Sequence, residues 1–405
     1  MSEPNKQEMT DLAFVSAQTD FAVGLLRETA AASNASLILS PISIALALSL
    51  AYAGAGGDTR KEFEAVFAKG GTSGDALHSL FRRTLSQLTA ADKNVTLALT
   101  NRAYAARELD VKAAFKELIA AHYGGDFKQV DFEQAAAEAV KEVNEFVANV
   151  THDKIRDLLS ADSVDAQTKL VLVNAVYFKV KMMNMKLKVN YAETADVQVL
   201  ELPYADEGAK FIAFLPRAKF GLTAWLQKTD GAELLKLRGR LTHREVFISL
   251  PRFKITSKFE LKDVLDKLGF SKGFSDQADF SGIANNESLK ISAAIHKAFI
   301  ESNEQGSEAA AATMMEMMPM SFDPDAQNPP DFVADHPFAF VIAYHENPLF
   351  FGRFSNEKGS EAAAATTLVM RTRSRPPTFR ADRPFVFVVA FHDKPLFVGR
   401  FAGGN

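Results

Sequence analysis

Side chains able to do covalent or metal chemistry are few in this chain and poorly spaced for it. The 405 residues include no cysteine, which removes thiolate nucleophiles, thiolate metal sites and disulfides. The eight histidines are scattered. None falls in an H-E-x-x-H pair, and no G-x-S-x-G elbow, Walker A loop or G-x-G-x-x-G turn after a strand is present. The cluster Gly54-Ala55-Gly56-Gly57 follows a helical run and has no phosphate-binding lysine, so it reads as a helix-ending turn. The methionines between Met314 and Met320 could offer thioethers to Cu(I), but their setting reads as a flexible apolar loop. Arg371, Arg373, Arg375, Arg380 and Arg383 form a basic run that reads as a solvated loop rather than a nucleic-acid contact. A net charge of −4 argues against a general polyanion binder, leaving room only for a local basic patch. The chain is therefore expected to be no enzyme, with no cofactor, no metal and no nucleic-acid partner.

The surrounding elements form a large core. Apolar residues make up 47% of the chain, and 33 phenylalanines stand against one tryptophan, which suggests aromatic packing across a long chain. Ala13–Glu28, Lys61–Phe67, Ala76–Leu88, Val111–His122 and Ala135–Val150 carry apolar residues at helical spacing. Asn34–Gly57 is uncharged and of membrane-spanning length. Pro41, its serines and a glycine-rich end argue instead for a buried helix, with Ser40 as cap and Pro41 in the first turn. No membrane partner is expected. Val95–Arg102, Val197–Leu202, Lys210–Leu215, Glu245–Leu250 and Leu289–Glu301 read as strands. Lys169–Lys179 reads as a central strand covered on both faces. Leu222–Leu237 and Leu261–Leu268 read as helices. Helices come first and strands follow without βαβ alternation, so the class is α+β.

The strongest internal feature is a module written twice. Ser302–Thr313 (SNEQGSEAAAAT) and Ser355–Thr366 (SNEKGSEAAAAT) differ only at Gln305/Lys358. Downstream, Phe332–Phe354 and Phe379–Phe401 agree at 15 of 23 positions. Two copies do not make a solenoid. The Gly-Ser-Glu-Ala-Ala-Ala-Ala-Thr stretch has helical propensity. As a strand, however, it places Ser307, Ala309, Ala311 and Thr313 on one face, small enough to slide between existing strands.

Four stretches resemble the serpins, protease inhibitors that trap their target by loop insertion. They are SPISIALALSLAYAGAGGDT (Ser40–Thr59), TKLVLVNAVYFK (Thr168–Lys179), HKAFIESNEQGSEAAAAT (His296–Thr313) and DHPFAFVIAYHENPLFFGRF (Asp335–Phe354). The resemblance runs from about Asp11 to Phe354 and again over the repeated module. It implies a serpin fold, with N-terminal helices, a large mixed sheet A, smaller sheets B and C, and a mobile reactive loop. It also implies that the chain is a suicide substrate for serine proteases. A hinge (Glu304, Gly306, Ser307, Glu308, Ala309, Ala310, Ala311, Ala312, Thr313) leads to a scissile bond at Met320-Ser321. In the second copy the hinge is Gly359, Ser360, Glu361, Ala362, Ala363, Ala364, Ala365 and Thr366, and the bond is Arg373-Ser374. Met320 suits the apolar primary pocket of chymotrypsin- or elastase-like enzymes, and Arg373 the acidic pocket of trypsin-like ones. Ser40, Ser43, Asn174 and His296 match the polar cluster beneath the opening sheet, the shutter, where buried polar groups must be paired.

Two departures from the family pattern stand out. After Lys179 the family continues with Gly-Lys-Trp and two further strands. Here Val180-Lys181-Met182-Met183 follows at once, a loss of roughly 20–30 residues. The second departure is the duplicated terminus, since only one copy can fill its slot in the fold. The expected organisation is a serpin domain at 1–354 with an internal deletion, then a second hinge, loop and C-terminal strands at 355–405. Alternative terminal exons read as one transcript, with one internal exon skipped, would produce both departures. A monomer is expected. The polar start, Met1 to Asp11, points to the cytoplasm, with secretion as the alternative because Asn34, Asn94, Asn149 and Asn286 lie in N-x-S/T sequons. A non-inhibitory binding or storage protein is the alternative function.

Overall fold

The computed structural model describes residues 6–31, 35–69, 71–89, 95–165, 167–180, 188–204, 208–251, 253–285, 288–302, 330–344, 347–355, 385–391 and 394–401. Helix α1 (Lys6–Ala31) leads to the short strand β1 (Leu37–Leu39) and helix α2 (Pro41–Gly54). Pro41 opens α2, and the Ser40 hydroxyl caps it by accepting from the Ser43 N–H at 3.4 Å. Helix α2 is buried along nearly its whole length, and no described helix is long and apolar enough to cross a membrane. Its end at Gly54 is forced by close approach. The Gly282 N–H donates to the Gly54 carbonyl at 3.0 Å, and a Cβ on Gly282 would lie 2.8 Å from that oxygen.

Helices α3 (Gly57–Ala68) and α4 (Gly74–Thr89) follow, then strand β2 (Val95–Ala106), helix α5 (Ala113–Tyr123), strand β3 (Asp126–Val130), helix α6 (Ala136–Val150) and strand β4 (Leu170–Val180). Strands then dominate: β5 (Lys188–Glu193), β6 (Val197–Pro203) and β7 (Ala209–Pro216). Helices α7 (Leu222–Lys228) and α8 (Gly231–Arg238) take the place of the single helix expected over Leu222–Leu237. The break lies at Asp230, whose carboxylate caps α8 by accepting the Glu233 N–H at 2.8 Å. Gly231 fits there because its N–H donates to Asp20 Oδ1 at 2.6 Å, where a Cβ would strike the α1 backbone.

Next come β8 (Thr242–Glu245), β9 (Phe247–Ser249), β10 (Phe253–Glu260), α9 (Lys262–Lys267) and β11 (Ile295–Ser302). The strand expected at Glu245–Leu250 is thus divided at Val246, with its two parts in different sheets. The strand expected from Leu289 starts only at Ile295. The preceding residues are tied elsewhere, by the Ile291 N–H to the Gly273 carbonyl and by Lys290 to Asp276. Strands β12 (Asp331–Val333), β13 (Phe338–Tyr344), β14 (Asn347–Phe354), β15 (Phe385–Phe391) and β16 (Lys394–Phe401) complete the order.

The large sheet is antiparallel throughout, in the order β1-β14-β13-β7-β6-β5-β8. Mixed pairing occurs in the three-stranded sheet β3-β2-β4, where β2 runs parallel to β3 and antiparallel to β4. Smaller pairs are β10-β11, β12-β9 and β15-β16. Ten of the phenylalanines fall in two packed groups. Phe14, Phe21, Phe67, Phe81 and Phe270 meet edge-on or tilted, with centroids 5.2–6.1 Å apart, around α1, α3 and α4. Phe211, Phe253, Phe338, Phe340 and Phe354 join the large sheet to β10. The chain forms two compact units, Met1–Leu368 and Val369–Asn405. The first-copy hairpin β13-β14 sits inside the large sheet. The second-copy hairpin β15-β16 is paired only with itself among the described residues.

Candidate functional site

The long apolar strand expected at the centre of a sheet, Lys169–Lys179, is β4, and it lies at an edge. Among the described residues β4 pairs only with β2, and β11 only with β10. Leu170, Val171 and Leu172 are only half-buried, although their composition suits cover on both faces. Strands β4 and β11 rest on one continuous support. Helix α2 packs against β4, and β1, just before it, packs against β10 and β11. Ser40 is the residue that joins β1 to α2.

Ser40 is the centre of the polar cluster. Its backbone N–H donates to His296 Nε2 at 2.9 Å, and its hydroxyl donates to the Leu349 carbonyl on β14 at 2.7 Å. A backbone N–H can only donate, so Nε2 carries no proton and the ring proton sits on Nδ1. Burial pushes the His296 pKa down to about 4, because an imidazolium there would lose its hydration. Strand β11 alternates as a half-buried strand should. His296, Ala298 and Ile300 are buried on the supported face, while Lys297 and Phe299 are partly exposed on the other.

Asn174 on β4 belongs to a second chain of bonds. Its Nδ2 donates to Asn101 Oδ1 on β2 at 2.9 Å, and Asn101 Nδ2 donates to the Tyr123 carbonyl at the end of α5, also at 2.9 Å. The Tyr123 hydroxyl meets His78 Nδ1 at 2.5 Å. Burial, then the neighbouring His122, holds the His78 pKa down at about 4. Of the four residues expected to cluster, Ser40, Ser43 and His296 are thus joined directly, whereas Asn174 bonds to Asn101 in the second chain. Asn101 was not anticipated, although an asparagine within a β-rich run is a recognisable anomaly, and it stands directly opposite Asn174 in the ladder.

The outer face of β11 is held by the segment that follows α6, a helix that itself packs on β2 and β4. Lys297 Nζ donates to the Arg156 carbonyl, and the Lys154 ammonium lies 5.4 Å from the centre of the Phe299 ring. Three non-glycine residues in this segment, His152, Asp153 and Asp157, have φ of 48°, 62° and 53°, a left-handed backbone that costs energy for side-chain-bearing residues. The segment is therefore a strained strap from the β4 side to β11.

Among the described residues Arg353 is the largest fully buried side chain. Its guanidinium donates to the Ala30 carbonyl at 3.3 Å and the Ala35 carbonyl at 2.8 Å. It thereby satisfies the C-terminal end of α1, whose last turn has no basic residue of its own. No group of three His, Asp or Glu suited to a metal occurs among the described residues. Both hinges (Glu304, Gly306–Thr313; Gly359–Thr366) and both expected scissile bonds (Met320-Ser321; Arg373-Ser374) lie outside the described residues.

Comparison with known proteins gives one consistent result. The family model "Serpin (serine protease inhibitor)" matches in three segments, residues 16–181, 179–357 and 355–403. Ipis-1 of Ixodes persulcatus is 36% identical, over 76% of this chain and 88% of its own length. The leukocyte elastase inhibitor of Equus caballus is 35% identical, over 84% of this chain and 98% of its own length. The solved structure of Serpin48, described as a highly specific serpin of the insect Tenebrio molitor, matches with a TM-score of 0.72 and 31% identity, over 86% of this chain and all of that one.

Proposed function

The chain belongs to the serpin family, and we propose that it inhibits a serine endopeptidase by offering the loop after β11 as bait and drawing it between β4 and β11. The matching family model is one of serine protease inhibitors, not of enzymes. The observation that carries the reading is the pair of strands with one ladder partner each among the described residues, held from below by Ser40 and His296 and from above by the strap. In sequence, β11 is followed by the hinge, whose Ser307, Ala309, Ala311 and Thr313 would share one small-residue face if it became a strand.

Cleavage at Met320-Ser321 would free an inserting segment of about 14 residues, roughly 46 Å when extended. About a dozen new ladder bonds at ~0.5–1.5 kcal/mol each give a gain on the order of 10 kcal/mol, enough to make the step one-way. The acyl-linked protease is carried along and distorted before water releases it. The second hinge, Gly359–Thr366, continues from β14 rather than from β11. That connectivity supports Met320 as the bait of this chain, directed at a chymotrypsin- or elastase-like enzyme, with Arg373 as the bait of an alternative terminus. The similarity to an elastase inhibitor supports the same target class.

The matched family segments meet at residues 179–181 and 355–357, the positions of the two departures. This supports a scaffold over 1–354 that lacks a stretch after Lys179, followed by a second terminal module at 355–405. The missing stretch favours one rival, a non-inhibitory serpin that binds or stores. Nicking the loop with a non-target protease separates the two. Insertion raises Tm by on the order of 10–20 °C, whereas an unchanged Tm makes the rival the better account.

A further inference from the structure

The place of the first hairpin in the large sheet is a slot with two edges. Strand β13 pairs with β7 along one side, Ala339 opposite Phe214 through Tyr344 opposite Ala209, and β14 pairs with β1 along the other, Leu37 opposite Arg353 through Leu39 opposite Phe351. Three features of β14 fit it to that slot. Gly352 has no room for a side chain, since a Cβ would collide with the Phe340 ring and lie 2.9 Å from the Leu37 carbonyl. Arg353 closes the end of α1. The Leu349 carbonyl takes the Ser40 hydroxyl.

The second hairpin keeps all three at the same register positions, as Gly399, Arg400 and Leu396. It also keeps the same pairing, with Phe385 opposite Phe401 as Phe338 is opposite Phe354. The same irregularity recurs, after Val389 as after Ile342. An isolated two-stranded hairpin is marginally stable in water, and among the described residues the slot already holds a hairpin of this pattern.

We propose that the slot between β1 and β7 accepts either terminal hairpin of the same chain, so that β15-β16 is a second, less favoured occupant in place of β13-β14. The preference for the first copy follows from three register positions. Ala339, fully buried, corresponds to Val386, which overfills the site. Phe351, also buried, corresponds to Val398, which leaves a void. Asn347, buried, corresponds to Lys394, which brings a charge. The docking features are retained and only the fit differs, so the second arrangement is a minor state. This inference rests on the fold and stands apart from the inhibitory reading.

The absence of native cysteine makes a cross-link test clean. Val341 is opposite Ile212 in the β13-β7 ladder, and Val388 is the matching residue of the second copy. In the full chain, Ile212→Cys with Val341→Cys reports the first occupant and Ile212→Cys with Val388→Cys the second. After unfolding and refolding, then oxidation, the second pair is expected to cross-link within one chain in a minor fraction, at most about a tenth. Adding Val386→Ala, Lys394→Asn and Val398→Phe improves the second hairpin without touching the folded first one, and it should raise that fraction towards parity. A fraction that stays at the background of a distant cysteine pair in both forms overturns the proposal. So does a cross-link found only between two chains. Neither readout uses a protease, so loss of inhibition leaves this result unaffected.

Discussion

Replacing His296 by glutamine should uncouple the shutter from acid while leaving it intact at neutral pH. In the folded protein the ring is neutral, accepts the Ser40 N–H at 2.9 Å and has a pKa of about 4, against 6.5 when unperturbed. Because the folded-state pKa is the lower one, stability is full above pH 6.5. It falls as the pH drops towards 4, since only the unfolded chain takes up the proton. Linkage puts the limiting loss on the order of 3 kcal/mol, most of it already gone at pH 4.5. A glutamine Oε1 can take the Ser40 N–H and does not titrate. Wild type and His296→Gln should therefore differ little at pH 7.5, and the wild type should lose more stability, on the order of 2–3 kcal/mol, on going to pH 4.5. Urea unfolding followed by Trp225, the single tryptophan, stacked 5.7 Å from Phe214, and by far-ultraviolet circular dichroism measures the difference. His78 titrates in the same direction in both proteins and cancels. Parallel stability curves for the two proteins between pH 7.5 and 4.5 would refute the buried, neutral His296.

Asn101→Ala leaves the Asn174 amide and the Tyr123 carbonyl without their partner and should cost about 1–3 kcal/mol, read as a lowered urea midpoint. Ser307→Glu places a charge where the first inserted residue must be buried, so the chain should be cleaved as a substrate without forming a stable complex, seen as product without adduct on a denaturing gel. Met320→Arg should shift inhibition from chymotrypsin-like to trypsin-like enzymes while Arg373→Ala leaves the inhibition profile unchanged, measured as second-order rate constants against both.

Much of the scaffold can be read from residue order alone. Ser40-Pro41 marks the start of α2, and the periodic apolar runs mark α3 to α6 within a few residues, whereas α1 begins at Lys6, well before the expected Ala13. What escaped depends on distant partners. Asp230-Gly231 interrupts a continuous apolar period because Asp20 of α1, far away in sequence, receives the Gly231 N–H. The apolar composition of β4 signals two covered faces but cannot reveal that β4 pairs with β2 alone among the described residues. Asn101 has meaning only once the β2-β4 register sets it opposite Asn174. Local propensity likewise cannot place the strap on β11. Its contacts join residues about 140 positions apart, and its left-handed backbone is borne by histidine and aspartate rather than by a signalling glycine.

The most direct test of the inhibitory account is to incubate the full chain separately with chymotrypsin-, elastase- and trypsin-like proteases, then to apply denaturing electrophoresis and mass spectrometry. The account predicts an adduct stable to denaturant with an apolar-pocket enzyme, together with release of the fragment Ser321 to Asn405. Cleavage at Met320-Ser321 with all protease recovered free, or an adduct that releases only Ser374 to Asn405, would contradict it.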